Sequence, residues 1–295
     1  MISTDYLKSY QEHISTIDLL NLHDKITKFR MLDFKRMSYS ELSKAILTVL
    51  CVNTNGTESA CLLKSYSQYS KGTRFYRVRK LDVDDHFIPL RDVKSPKDVW
   101  NPPASKVGLG RLNRENESLL YTSPITPVVA IQEMKVADNQ NFVLSVFEAR
   151  EDIKVCNMAI AELLPNFSAE ENLKHKMLND FLVHEFIRDV GLDTTYLYKI
   201  SETIMKDYYD LPSDTQDGWC YPSVAKKGQF NVCFREEKAK KKLKLIGIQI
   251  ATKQDKDDGM MIRPKLIGLA KADDEPFKYY EMGSAEQIKV FPEYA

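Results

Sequence analysis

The chain has 295 residues and a mass of 34.0 kDa, and 43% of its residues are apolar and 28% charged. These fractions match those of globular proteins and argue against a disordered, collagen-like or membrane-embedded chain. The 42 basic residues balance 42 acidic ones, and this zero net charge argues against a dedicated nucleic-acid-binding protein. The longest apolar runs, such as 45–52, are shorter than the roughly 18 residues that a membrane helix needs.

The N-terminal residues, MISTDYLKSYQEH, lack the basic start and apolar core of a signal peptide, so we expect a cytoplasmic protein. The five cysteines are scattered without a CxxC pair, and the five histidines form no metal-binding motif. We therefore expect reduced, mostly buried thiols, with neither a structural metal nor a disulfide framework.

The first 70 residues have the pattern of helices. Aromatic and aliphatic residues recur there at spacings of three and four, namely Tyr6, Tyr10, Ile14 and Ile17. A further helix is predicted over 39–52. The segment NTNGTES at 53–59 is typical of a turn, and SQYSKGT at 67–73 of a linker, which places a domain boundary near residue 70.

From Arg74 onward, short strands mix with helices. Strands are predicted over the segments RFYRVRK, LLYTS, NFVLSVFEA, GWCYPSV, FNVCFRE and LKLIGIQIA. Helices are predicted over 127–135, 169–189 and 195–208. Because strands and helices do not alternate strictly, the pattern predicts an α+β domain and not a doubly wound one.

The only biased tract is KAKKKLK at 238–244, which carries five lysines. It is expected to be a solvent-exposed hairpin or strand entry. The functional alternative is a basic surface at the edge of a site, where it would attract anions. No pattern assigns the structure of the segment 257–283.

The segment FYRVRK places Arg77 and Arg79 on the same face of a predicted strand. Guanidinium groups make bidentate contacts with phosphate oxygens, so such a pair can clamp a diphosphate. The plain alternative is that both arginines are solvent-exposed side chains of a surface strand and bind no ligand.

The segment 107–135 combines residue types that suit a nucleotide cleft. Glycines let the backbone pass close to a ligand, polar side chains offer contacts, a short strand carries a tyrosine and a serine, and a capped helix carries a glutamate. These residues are Gly108, Gly110, Arg111, Asn113, Tyr121, Ser123, Thr126 and Glu133. Each has a plain alternative, as a turn glycine, a core tyrosine or an exposed glutamate.

A third segment, DGWCYPSVAKKGQFNVCF, carries Ser223 between two predicted strands. No GxSxG motif surrounds this serine, which argues against nucleophilic acyl chemistry. A serine after a proline is commonly a loop residue.

Taken together, these segments resemble the RES domain, a family named for its arginine, glutamate and serine and found as toxins of bacterial toxin–antitoxin pairs. The family pattern is an early YR, then GRxN, then a YxS strand followed by a helical glutamate, and a late YPS. The matching residues are Tyr76-Arg77, Gly110 to Asn113, Tyr121 to Ser123, Glu133, and Tyr221 to Ser223. The resemblance covers residues 74–252.

The resemblance implies an α+β fold similar to that of the ADP-ribosyltransferases, with a RES-like domain over 71–295 after an N-terminal helical extension over 1–70. It implies an enzyme that cleaves the nicotinamide–ribose bond of NAD by phosphorolysis or hydrolysis. NAD is then a substrate, inorganic phosphate a possible co-substrate, and no cofactor is expected. The expected partner is a helix-turn-helix antitoxin that covers the active site, and a homo-oligomer is possible. The chain departs from the pattern at Leu112, where the family has an aromatic residue.

The resemblance also implies roles for the matched residues. Glu133 would stabilise the cationic, oxocarbenium-like sugar, and Tyr121 would stack on the nicotinamide ring. Arg77 and Arg111 would hold the diphosphate or an incoming phosphate, and Ser223 would add a hydroxyl donor to the same anion. The remaining motif residues expected to contact NAD are Asn113 and Ser123.

Two other functions stay open. One is ADP-ribosyl transfer to a protein or nucleic acid, which uses the same leaving group and needs an open acceptor site. The other is a non-catalytic binding module in which the N-terminal helices carry the function. The sequence does not choose between phosphate and water as the acceptor.

Overall fold

The structure, a computed structural model, describes residues 4–54, 56–81, 91, 93–159, 164–257 and 259–294. The chain folds into two units. The first unit is formed by Met1–Ser67, Val107–Glu117 and Val155–Val224, and the second by Gln68–Lys106, Ser118–Lys154 and Ala225–Ala295. The predicted boundary near residue 70 lies beside the first crossing between the units, and the segment 71–295 contributes to both of them.

Eight α-helices lie in the described residues: α1 (Thr4–Ser15), α2 (Leu19–Arg30), α3 (Tyr39–Leu50), α4 (Pro127–Glu133), α5 (Ala169–Ile187), α6 (Tyr198–Ile204), α7 (Glu236–Lys242) and α8 (Ala285–Val290). The strands are β1 (Cys51–Thr54), β2 (Thr57–Ala60), β3 (Ser65–Tyr69), β4 (Arg74–Lys80), β5 (Leu119–Pro124), β6 (Asn141–Ala149), β7 (Ile153–Asn157), β8 (Gly218–Pro222), β9 (Phe230–Arg235), β10 (Leu243–Lys256), β11 (Gly259–Leu269) and β12 (Lys278–Glu281). The expectation of a mixed α and β chain is confirmed. None of the helices in these ranges is long and apolar enough to cross a membrane.

The helices of the first unit begin where capping residues satisfy free backbone N–H groups. The Asp18 side chain accepts a hydrogen bond from the N–H of Asn21 at the start of α2, and Ser38 with Glu41 forms a capping box at the start of α3. The predicted stripe of α1 is buried at Tyr10 and Ile14. The predicted helices of the N-terminal region are thereby confirmed as far as Leu50, whereas residues 51 and 52 of the helix predicted over 39–52 belong to β1.

Two predictions near residue 60 need correction. The segment 53–59 contains parts of two short antiparallel strands, β1 and β2, around Gly56 at φ +80°, while Asn55 lies outside the described residues. The predicted linker at 67–73 is wrong over its first three residues, because β3 continues to Tyr69. Tyrosine and serine are compatible with a strand, and the Tyr69 ring packs edge-on against Phe75 at 5.3 Å.

The second unit is built around seven strands in the order β12-β11-β10-β6-β4-β5-β9. The pairings recorded along this series are antiparallel. Helix α4 packs on one face of these strands, where Ala130 and Ile131 join a buried cluster with Val78 and Leu144. This packing fixes the helix that carries Glu133.

The lysine-rich tract was predicted as a hairpin or strand entry. Its last two residues do enter β10 at Leu243, but the rest forms the C-terminal part of α7, with Glu236 and Glu237 in the first turn and Lys240 to Lys242 in the last. This charge order suits the helix dipole, which favours acids at the N-terminus and bases at the C-terminus. The unassigned segment after residue 257 forms β11, which pairs with β10 from Lys256↔Gly259 to Ile248↔Gly268.

Candidate functional site

Glu133 is positioned by local signals at the start of α4. The Thr126 hydroxyl accepts a hydrogen bond from the N–H of Val128 at 3.4 Å, and Pro127 occupies the first helical position. The helix then runs for seven residues and ends at Glu133, two residues short of its predicted end. Glu133 is half-buried at this end.

The residue before this cap has an unusual backbone. Ile125 has a φ of +70°, its N–H donates to the Arg74 carbonyl at 2.9 Å, and its side chain is 72% exposed. A β-branched residue in the left-handed region is strained, by about 1–3 kcal/mol. The strain lies in the connection between β5 and α4, beside the candidate site.

Glu133 ends a chain of hydrogen bonds between side chains. The Asn231 amide Nδ2 donates to Glu133 Oε1 at 2.8 Å, and the Ser123 hydroxyl donates to Asn231 Oδ1 at 2.9 Å. Ser123 and Asn231 are both buried. The Ala225 N–H also donates to Glu133 Oε1, at 3.5 Å. The Asn231 amide thus accepts from Ser123 through Oδ1 and donates to Glu133 through Nδ2. Because Ser123 fixes the amide, the amide in turn orients the Glu133 carboxylate.

Asn231 is a site residue that the sequence interpretation missed. Asparagine is disfavoured in strands, so its place inside the predicted strand FNVCFRE is the signal that singles it out. Its contact with Glu133 joins residues 98 positions apart, and no local pattern encodes such a pairing.

Tyr121 lies two residues before Ser123 on β5, so the two side chains point to the same face. Tyr121 pairs with Cys233 on β9, which is two residues beyond Asn231. The predicted YxS strand is therefore confirmed as a strand, and it presents Tyr121 on the same face as Ser123, the residue that is hydrogen-bonded to Asn231.

The strands β4 and β5 diverge at the site. Their pairing is limited to Phe75↔Pro124 and Tyr76↔Ser123. Beyond this point β4 continues to pair with β6 as far as Lys80, while β5 pairs with β9 from Thr122 back to Leu119. The second unit therefore has a split between β4 and β5, and Arg77 is the first residue of β4 along it.

Arg77 has a buried and unsatisfied donor. The residue as a whole is half-buried, whereas its Nη1 atom is fully buried and has no hydrogen-bond partner among the described residues. Burial, and then the charge of Arg79, lower the pKa of Arg77 to about 10, so the group stays charged at neutral pH. A buried charged donor without a partner is costly, and an anionic ligand would satisfy it.

Arg77 and Glu133 approach the split from different sides. Tyr76 packs against the cluster that contains α4, and alternation along β4 turns Arg77 to the opposite face. The neighbouring Arg79 is exposed and donates to the Asp98 carbonyl at 3.3 Å. A ligand that contacts both Arg77 and Glu133 must therefore pass through the split between β4 and β5.

The other predicted site residues belong to the first unit. The Arg111 guanidinium donates to the Phe186 carbonyl and, at 3.3 Å, to the Arg188 carbonyl at the end of α5. It also lies over the Tyr198 ring, 5.3 Å from its centre. Free carbonyls at a helix C-terminus attract cations, so these contacts fit a structural role for Arg111. Ser223 follows β8 and is buried.

Asn113 fixes the loop of the GRxN motif. Its Nδ2 donates to the carbonyls of Gly108 and Arg114 at 2.9 and 2.8 Å, and its own carbonyl accepts from the Gly110 N–H at 3.0 Å. A side chain at Gly110 would place its Cβ 2.3 Å from Asn113 Oδ1. The position of the Asn113 side chain therefore requires a residue without a Cβ atom at position 110.

Replacing Gly110 with Ala is expected to lower the free energy of unfolding by about 1–3 kcal/mol, because the new methyl group displaces an asparagine held by two hydrogen bonds. The matched control is Gly108→Ala, where a Cβ meets no atom within 4 Å. Its stability should be unchanged or slightly higher. Urea denaturation of both variants is the measurement, and equal losses of stability would contradict the steric explanation.

In the described part of the chain, no three His, Cys, Asp or Glu side chains cluster as metal ligands would. No protein-family model, curated protein or solved structure matches the chain. Its function must therefore be derived from its own motifs and geometry.

Proposed function

We propose that the chain cleaves NAD at the bond between nicotinamide and ribose, with phosphate or water as the acceptor. The observation that carries this proposal is the Glu133 carboxylate, oriented by Asn231, which is held in turn by the buried Ser123. Of these three residues, Glu133 and Ser123 belong to motifs that resemble the RES domain. An ADP-ribosyltransferase-like fold, a cytoplasmic location and a helix-turn-helix antitoxin as partner are parts of the same proposal.

The proposed chemistry needs a fixed negative charge. As the bond from the anomeric carbon to nicotinamide breaks, its electron pair leaves with the nicotinamide, and positive charge develops on the ribose. Nicotinamide leaves as a neutral molecule, so the step needs no strong general acid. A carboxylate that is already oriented stabilises the cationic sugar without reorganising at the moment of reaction. An oxygen of phosphate or of water then forms the new bond to the anomeric carbon, and attacking water releases one proton to the solvent.

The split between β4 and β5 suits an extended dinucleotide. In this proposal one phosphate group of NAD satisfies the buried donor of Arg77. The oriented Glu133 carboxylate faces the nicotinamide ribose, and Tyr121 stacks on the nicotinamide ring. In this proposal NAD passes through the split, with its diphosphate towards Arg77. The roles implied for Arg111, Asn113 and Ser223 stay predictions, since the contacts of Arg111 and Asn113 also fit a purely structural role.

The direct test is to incubate the purified protein with NAD, with and without inorganic phosphate, and to identify the products. Phosphorolysis gives nicotinamide and a phosphorylated ADP-ribose only when phosphate is present, whereas hydrolysis gives free ADP-ribose in both cases. Transfer of label from NAD to a macromolecule would instead favour an ADP-ribosyltransferase. If NAD is neither cleaved nor used for transfer, the remaining alternative is the non-catalytic binding module.

Replacing Asn231 with Asp is expected to lower kcat/KM for NAD cleavage by roughly tenfold or more, as expected for the loss of a hydrogen bond to a charged group. The new carboxylate removes the donor to Glu133 Oε1 and places a like charge beside it, so Glu133 is no longer held in one orientation. Asn139→Asp, in an exposed turn, is the control and should keep the kinetics of the unchanged protein. Equal values of kcat/KM for Asn231→Asp and this control would remove Asn231 from the site.

A further inference from the structure

A cavity of about 290 Å³ lies within the first unit, and none of the motif residues that the proposed function uses lines it. Its walls come from α1, α5, the first residues of β3 and the end of β7. An apolar cavity of about 150 Å³ accommodates benzene, so this space suits a six-membered ring with a substituent.

The N-terminal helix α1 forms one wall through defined contacts with α5. The Tyr10 hydroxyl is hydrogen-bonded to His175 Nδ1 at 2.8 Å, and the two rings meet edge-on with centres 5.7 Å apart. Gln11 donates to Glu171 at 3.2 Å, and Lys174 donates to the Ser15 carbonyl at 3.3 Å. The wall is therefore preformed.

The described residues that line the cavity include no carboxylate, ammonium or guanidinium group. They offer phenols, serine hydroxyls, two amides, an imidazole and a thiol, besides leucine and alanine side chains. Burial raises the pKa of the Tyr10 and Tyr209 phenols and raises that of the Cys61 thiol to about 12, so these groups stay neutral. Such a lining favours an uncharged ligand, since a charge would lose its hydration without gaining a counter-ion.

Asn157 carries a buried polar atom without a hydrogen-bond partner among the described residues. Its Nδ2 donates to the Ser65 hydroxyl at 3.1 Å, which directs the carbonyl end of the amide elsewhere. Its Oδ1 atom is buried and accepts no hydrogen bond from the described residues. Buried polar atoms are almost always satisfied, so a bound molecule with an N–H donor would complete this one.

We infer that this cavity binds an uncharged planar ring that carries an N–H donor, of the class of aromatic carboxamides. Asn157 Oδ1 accepts from the ligand amide, while the leucines of α5 pack on the ring. The inference does not depend on NAD cleavage, and its test measures binding alone.

The test uses three probes that share one ring and differ in charge: benzamide, benzoate and benzamidine. Each is titrated into the full chain and followed by saturation-transfer NMR, with calorimetry for the dissociation constants. Benzamide should bind at least about tenfold more tightly than benzoate or benzamidine, because only the neutral probe avoids an unpaired charge. Equal binding of the three probes, or no binding of benzamide at millimolar concentration, would overturn the inference.

The variant Asn157→Asp separates a binding role from a structural one. It keeps the size of the side chain and places a negative charge in the cavity, so the preference should change from benzamide to benzamidine. Asn139→Asp, which adds the same charge in an exposed turn of the second unit, should keep the preference for benzamide. Circular dichroism checks that both variants are folded. An unchanged preference in folded Asn157→Asp protein would place the ligand elsewhere.

Discussion

Replacing Glu133 with Gln is expected to lower kcat for NAD cleavage by on the order of a hundredfold or more, because the amide removes the charge that stabilises the cationic sugar. Size and most hydrogen-bonding capacity are kept, so binding of NAD should change much less than kcat. Steady-state kinetics with a separate binding measurement by calorimetry distinguish the two effects.

The control for this variant is Glu237→Gln, which removes the same charge from an exposed position in the first turn of α7. It should leave kcat and KM unchanged. If Glu133→Gln protein is folded and turns over NAD as fast as this control, Glu133 has no part in the chemistry.

Replacing Arg77 with Ala is expected to weaken kcat/KM by roughly 10- to 150-fold, because a charged hydrogen bond to phosphate contributes about 1.5–3 kcal/mol. Arg77→Lys keeps the charge without the planar fork and should restore only part of the loss. Ser223→Ala should lower kcat/KM less than either arginine variant does, since a neutral hydroxyl contact contributes about 0.5–1.5 kcal/mol.

Arg263→Ala is the matched control, since Arg263 lies on a strand of the same unit and is exposed. Its kinetics should equal those of the unchanged protein. The stability of Arg77→Ala is informative as well: removing an unsatisfied buried charge without a ligand present should not destabilise the fold, whereas removing a structural ion pair would. Normal kinetics in Arg77→Ala would mean that NAD does not pass through the split.

The sequence predicts the elements that local chemistry determines. Thr126 and Pro127 specify where α4 starts, and the alternation in β4, β5 and β6 identifies each of them as a strand. The lysine tract shows the limit of such patterns, because its helix begins before the tract, with Glu236 and Glu237 in the first turn, where acids suit the helix dipole. Local periodicity alone does not contain that information.

The candidate site is harder to predict, because it depends on strand register. The sequences of β4 and β5 do not predict that their pairing ends at Tyr76 and Ser123. This end of the pairing creates the split. Likewise, arginine in a GRxN motif suits a phosphate and the end of a helix equally well. Only the position of Arg111 relative to the carbonyls of Phe186 and Arg188 reveals the second possibility.

The order of the segments in the second unit has a consequence for synthesis of the chain. Glu133 leaves the ribosome 98 residues before Asn231, the residue that orients it. At about 5–20 residues per second this interval lasts about 5–20 seconds. During it, β6 also lacks its neighbour β10, which begins only at Leu243. A nascent chain therefore carries an unassembled candidate site. If the proposed activity and the proposed partner are correct, this interval lets a partner translated alongside bind the emerging protein before catalysis starts.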